Sequence, residues 1–140
     1  MQVGQWYFPD QLWYTREHLW LKVEDRVATV GLTDYAQDTR GDVLYLGLPR
    51  DGLQVSRRDP VASIETGKWV GRICSPVSGT IIEVNQRLSG EPQLINKSPY
   101  GEGWIYRIQL ANPEETAGFF RGEEFYQWLA AEIAEQETGN

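Results

Sequence analysis

Apolar and polar positions alternate with a period of two over several short runs of this chain, the pattern of half-buried strands. Leu19, Leu21 and Val23 alternate with Trp20 and Lys22; Glu24-Asp25 makes a turn, and Arg26 to Leu32 returns as the second arm of a hairpin. Val43 to Leu48 is a more continuous apolar run, stopped by Pro49. Thr80 to Val84 is another strand-like run, and Ile105 to Leu110 alternates again. Between them, Pro60 to Ile64 and Val70 to Cys74 flank the polar stretch Glu65-Thr66-Gly67-Lys68, which predicts a hairpin with a lysine at its tip. Gly67 is expected to supply the positive φ of that turn. Ser75-Pro76-Val77-Ser78-Gly79 then forms a second turn into the next strand.

Helical periodicity enters only in places. Thr33 or Asp34 can cap a short helical turn that Gly41 ends, and Asn112 can cap another that begins at Pro113. From Gly122 to Ala134, Phe125, Trp128, Leu129, Glu132 and Ile133 recur every three or four residues, giving a helix with one apolar face. Asn85 to Asn96 reads as loop, and Ser98 to Trp104 as a Gly-rich turn with an aromatic plug. The fold class expected is mainly β with short helices, one of them C-terminal. Residues 1–12 form an aromatic N-terminal extension, with a turn or a short helix near Pro9, that packs on the domain or meets a partner. Residues 13–134 form the domain, and residues 135–140 a frayed tail.

Composition narrows the function. At 140 residues the chain suits a single domain with its own core. No apolar run is long enough for a membrane-crossing helix, so no membrane insertion is expected. The start lacks a basic segment followed by an apolar one, so the expectation is a cytoplasmic protein. A net charge of −7 argues against nucleic-acid binding, which rests on Lys and Arg neutralising phosphates. The lone Cys74 excludes an internal disulfide and is expected to be a small buried residue. The lone His18 has no second His or Cys at ligand spacing, so no metal site is expected. No catalytic residues are predicted, since no Ser/His/Asp order appears. Nor is Gly67-Lys68 a phosphate-binding loop: the upstream glycine is missing and Trp69 stands where Ser or Thr is required.

An exposed lysine carries little information by itself; the motifs around it carry more. Glu65 and Lys68, followed at seven residues by Ser75-Pro76-Val77-Ser78-Gly79, resemble the lysine hairpin of the glycine cleavage system H protein family, which reads Glu-Ser-Val-Lys. Three further stretches resemble that family in order: Tyr14-Thr15 with Glu17-His18 and Trp20, then Thr33-Asp34-Tyr35-Ala36-Gln37-Asp38, then Pro99-Tyr100-Gly101-Glu102-Gly103-Trp104. The resemblance spans roughly residues 13–130. It implies a lipoyl-domain (hammerhead) β-sandwich of two antiparallel sheets, and a carrier protein rather than an enzyme. It also implies lipoate as a covalent cofactor on Lys68. Glu65, Gly67 and Trp69 complete the attachment site, and His18, Leu19, Tyr35 and Arg72 are the expected cleft residues for the arm. Glu65 is either a contact for the lipoate-protein ligase or a surface charge.

The departures concern cargo. The family places a glutamate where Leu19 stands and an aspartate where Arg72 stands, carboxylates suited to an aminomethyl cation. One is replaced by an apolar chain and the other by a permanent cation, which favours an anion instead. Trp69 replaces the usual alanine; it shields the arm, selects the lipoylating enzyme, or packs on the hairpin. These changes resemble the lipoate-binding proteins of cytoplasmic sulfur oxidation, whose partner is a heterodisulfide-reductase-like complex and whose cargo is a sulfur intermediate. The alternative is an H protein of glycine cleavage, partnered by glycine decarboxylase, aminomethyltransferase and dihydrolipoamide dehydrogenase.

Overall fold

The computed structural model describes the backbone of residues 1–138 and the side chains of residues 1–136. In chain order it runs β1 (Gln2–Val3), β2 (Trp6–Tyr7), β3 (Trp13–Tyr14), β4 (Leu19–Glu24), β5 (Val27–Leu32) and helix α1 (Asp34–Arg40). Strands β6 (Val43–Gly47), β7 (Gln54–Val55), β8 (Pro60–Thr66), β9 (Val70–Cys74) and β10 (Gly79–Val84) follow. Helix α2 (Leu94–Lys97), β11 (Tyr106–Leu110) and helix α3 (Glu123–Thr138) complete the chain. Among the described residues the strands form a six-stranded sheet in the order β3-β4-β5-β11-β10-β7 and a three-stranded sheet β6-β8-β9, with β1-β2 as a separate hairpin. Every pairing in the two main sheets is antiparallel.

The expected mainly-β sandwich is therefore present, and its core follows from side-chain alternation. Leu19, Leu21, Val30 and Ile108 from the large sheet meet Leu46, Ile64 and Ile73 from the small one, all buried. Trp20, on the opposite side of β4, is also buried. It belongs to a second, aromatic cluster with Phe8, Tyr14, Tyr35, Phe125 and Leu129, so the N-terminal extension and α3 cover that face. Gly31, paired with Trp20 across the hairpin, leaves room for the indole: a Cβ there would lie 2.7 Å from the ring.

Several local expectations change. The turn expected near Pro9 is present at Asp10 and Gln11, with no helix there; before it the lead-in forms the β1–β2 hairpin, and the segment packs because Phe8 and Leu12 are buried. The stretch Asn85 to Asn96 is not plain loop but holds a 3-10 turn at Gln86–Ser89 and the start of α2. Asn112 precedes a 3-10 turn but its side chain makes no capping bond. Helix α3 continues past Ala134 through Thr138, so the tail expected to be frayed is helical that far; Gly139 and Asn140 lie outside the described residues. Thr33 does cap α1, accepting from the Ala36 N–H at 3.1 Å, and Gly41 ends that helix at φ +96°.

Candidate functional site

The β8–β9 hairpin carries Lys68 beyond the edge of the three-stranded sheet, and the hydroxyl of Thr66 shapes its tip. Buried Thr66 donates through Oγ1 to the Arg40 carbonyl at 2.6 Å and accepts from the backbone N–H of Lys68 at 3.1 Å and of Trp69 at 3.0 Å. Thr66 N–H donates to the Trp69 carbonyl at 2.8 Å. One side chain thus closes the turn and ties it to the end of α1. Gly67 does not hold the positive φ expected of it, and a Cβ there would meet nothing within 4 Å. A positive φ is found instead at Gly41, against which the Lys68 stem lies: a Cβ there would stand 3.5 Å from Lys68 Cδ. Asn96 braces the same corner, accepting from Val43 N–H at 2.8 Å and donating to the Gly41 carbonyl at 3.1 Å. The Lys68 side chain is exposed and takes part in none of the ion pairs among the described residues, leaving its amine open to acylation. Glu65 is exposed too, paired across the sheet with Tyr45 and Val70, with no salt bridge among the described residues.

Beside the tip lies a cleft of about 420 Å³. Leu19, Leu32, Ile64 and Ile73 give it an apolar wall. Arg16, Glu17, His18, Arg40, Trp69, Arg72, Cys74 and Glu132 supply the rest of its lining. Of the expected cleft residues, His18, Leu19 and Arg72 meet here, together with Trp69. Tyr35 does not line it; the ring is buried behind His18, centroids 4.8 Å apart, because α1 turns it toward the aromatic cluster. The Trp69 indole folds back over Gly71, where a Cβ would fall 2.2 Å from the ring, and stands under the Arg40 guanidinium carbon at 4.9 Å.

His18 sits at φ +68°, held by its N–H to the Thr15 carbonyl at 3.1 Å and by Thr33 N–H to its own carbonyl at 3.1 Å. Its Nε2 approaches Glu132 Oε2 at 3.0 Å. This is not an ion pair at neutral pH. Burial, and secondarily the Arg40 charge, push the imidazole down to about 4, while burial and then Glu135 push the Glu132 carboxyl up. Among the described residues, His18 Nδ1, Arg40 Nη1 and Glu132 Oε2 are buried without hydrogen-bond partners. Among the described residues no group of His, Cys, Asp or Glu side chains is placed to hold a metal ion.

Cys74 departs from expectation: it is exposed, because it ends β9, and lines both the cleft and a neighbouring cavity of about 370 Å³ with Arg57, Arg58 and Phe119. Thr66, Arg40 and Glu132 are site residues that the sequence reading passed over. Thr66 was open to detection, as the hydroxyl residue where the H-protein motif has serine. Arg40 looks like a last-turn cation and Glu132 like part of an apolar helix face, so neither signals a cleft.

Residues 12–132 match the family described as Glycine cleavage H-protein. The chain is 42% identical over 119 residues to the Glycine cleavage system H protein of Thermotoga maritima, covering 85% of this chain and 96% of that protein. It is also 42% identical over 125 residues to Glycine cleavage system H protein 4 of Aquifex aeolicus, covering 89% of this chain and 72% of that one. The fold is similar to the crystal structure of a glycine cleavage system H protein from Mycobacterium marinum, with a TM-score of 0.71 at 32% identity, covering 79% of this chain and 97% of that chain.

Proposed function

Because this chain belongs to the glycine cleavage H-protein family, we propose that it carries lipoate in amide linkage on Lys68. H proteins are carriers and not enzymes, and lipoate is their covalently bound group. The observation that carries the reading is Lys68 itself: an exposed amine on a tip fixed by Thr66, its stem supported at Gly41 and an apolar-walled cleft alongside. A rigid base with a free amine lets a ligase find one lysine and leaves the acylated chain room to swing. When bound, lipoate supplies a dithiolane that takes up and releases a group between partners. The protein's part is to hold the lysine, offer the cleft and keep the lining dry with Leu19, Leu32 and Ile64.

On cargo, the names of the relatives support the aminomethyl group of glycine cleavage, with glycine decarboxylase, aminomethyltransferase and dihydrolipoamide dehydrogenase as partners. This is the first reading, and Glu17 and Glu132 are then the carboxylates that attract the amine. One observation favours a second reading. Arg16, Arg40 and Arg72 outnumber those carboxylates around the cleft, and the family's acidic position after the His is here the buried Leu19. That lining suits an anionic sulfur intermediate delivered to a heterodisulfide-reductase-like complex. Either partner set places the carrier in the cytoplasm, and a lipoate-protein ligase that reads Glu65 and Trp69 beside Lys68 loads the arm.

Intact mass and peptide mapping of protein from its native cells test both levels. A lipoyl group on Lys68 is expected, and an unmodified lysine overturns the carrier reading. Glycine-dependent CO₂ exchange with glycine decarboxylase supports the first cargo; sulfur retained on the lipoyl thiols without such exchange supports the second.

A further inference from the structure

The cleft contains a cation without a counterion. Arg40 Nη1 is buried with no hydrogen-bond partner, and none of the ion pairs among the described residues includes this guanidinium. Its position in the last turn of α1 lets the helix terminus offset part of the charge. That leaves an N–H with no protein acceptor among the described residues, and such a group is costly to bury. The Trp69 ring faces the guanidinium at 4.9 Å, a cation–π contact that balances charge but accepts no in-plane hydrogen bond. Arg72 and Arg16 line the same cavity. Of the carboxylates, Glu132 approaches the neutral His18 rather than an arginine.

We infer that the cleft binds a small sulfur oxyanion of the thiosulfate or sulfite class, with Arg40 as its inner donor, Arg72 at its rim and the Trp69 indole shifting to uncover Nη1. A planar guanidinium presents parallel N–H donors that match an oxyanion, which a lysine could not do in the same way. The apolar wall of Leu19, Leu32 and Ile64 strengthens that interaction by excluding water. Cβ-less Gly71 supplies the space over which the indole lies, so one face of the ring packs on backbone and the other meets the Arg40 guanidinium. The inference rests on the anionic-cargo reading and adds where the charge of the cargo is held.

The test uses unlipoylated, ¹⁵N-labelled protein titrated with thiosulfate, sulfite and phosphate at constant ionic strength. It follows the Arg40 Nε–H and Trp69 indole N–H resonances. Saturable shifts of both with thiosulfate or sulfite are expected. Arg40→Gln should weaken binding at least about tenfold, the equivalent of one lost charge-assisted bond. Arg40→Lys, which preserves the charge, should retain part of the affinity, and Arg72→Gln should lose less than Arg40→Gln. Absence of saturable shifts, equal binding by Arg40→Gln, or phosphate binding as tight as thiosulfate overturns the inference. Lipoylated protein incubated with sulfur donors is weighed in parallel. Sulfur loading without anion binding leaves the cargo reading standing and sinks the Arg40 site. Anion binding with only aminomethyl loading does the reverse.

Discussion

The Lys68 stem lies against the one backbone position at the end of α1 that has no side chain: a Cβ on Gly41 would stand 3.5 Å from Lys68 Cδ. At φ +96° and ψ −177° that residue occupies backbone space open almost only to glycine. The helix end, and with it the carbonyl of Arg40 that Thr66 needs, is set by this conformation. Gly41→Ala is expected to cost about 1–3 kcal/mol, read as a lower urea midpoint with unchanged slope. It should also slow lipoylation of Lys68 in a ligase assay. Unchanged stability would mean that the corner tolerates a side chain.

Thr66 offers a sharper separation of roles. Thr66→Val removes a hydroxyl that serves the Arg40 carbonyl and two backbone N–H groups, leaving partly buried polar groups unpaired at a cost of about 1–3 kcal/mol. Thr66→Ser keeps the bonds and should be nearly neutral. Lipoylation rates should follow the same order, because the hydroxyl fixes the turn from which Lys68 projects. Equal rates for the two variants would assign Thr66 to stability alone.

Stability should depend on pH through His18. Its folded pKa, about 4, lies below the ordinary histidine value, so between those values the unfolded chain binds the proton and the folded one does not. Stability is full above the unfolded value and falls as pH drops through about 6.5 toward 4, by about 2 kcal/mol between pH 7 and pH 5. Glu132, raised by burial, works in the opposite sense at the acid end, so the comparison belongs between pH 7 and pH 5. His18→Asn, a residue that tolerates the φ of +68°, should flatten this slope in urea midpoints taken at the two pH values. A wild-type slope unaltered by the substitution would remove His18 as its source.

At the second turn, a Cβ on Gly79 would fall 2.0 Å from the Gln109 carbonyl oxygen, and backbone cannot yield as a side-chain end can. Gly79→Ala should therefore cost more than about 3 kcal/mol, at the severe end of single substitutions. Circular dichroism on heating would show the loss as a much lower Tm. Gly71→Ala meets only the movable Trp69 ring at 2.2 Å. It should shift the Trp69 indole resonance while the Tm changes little. A large Tm loss would mean that the indole is locked in place.

How much of this was readable in advance depends on the range of each interaction. The alternation of Leu19, Leu21 and Val23, the hairpin around Lys68 and the periodicity of α3 are local, and periodic burial alone marks them. The motif spacing from Lys68 to Gly79 likewise pointed to a carrier before any geometry was available. Gly67 shows where local reading fails: a glycine in a turn invites a positive φ, yet a threonine hydroxyl bonded to a different element shapes this tip. Cys74 looked buried because a lone cysteine usually packs as a small apolar residue, but it ends β9 and faces solvent.

The longer strands, the lysine at a hairpin tip and the family were legible in the chain, since these depend on patterns among neighbours and on short motifs; the two-residue strands β1, β2, β3 and β7 were not. What lines the cleft follows from how distant elements pack. His18 precedes β4, Arg40 ends α1, Trp69 and Arg72 come from the β8–β9 hairpin, and Glu132 comes from the C-terminal helix. Their charges act on one another through space once the sandwich closes and water leaves. Burial then sets protonation states and leaves Arg40 Nη1 without a hydrogen-bond partner among the described residues, outcomes that depend on distance and solvent exclusion and not on separation along the chain.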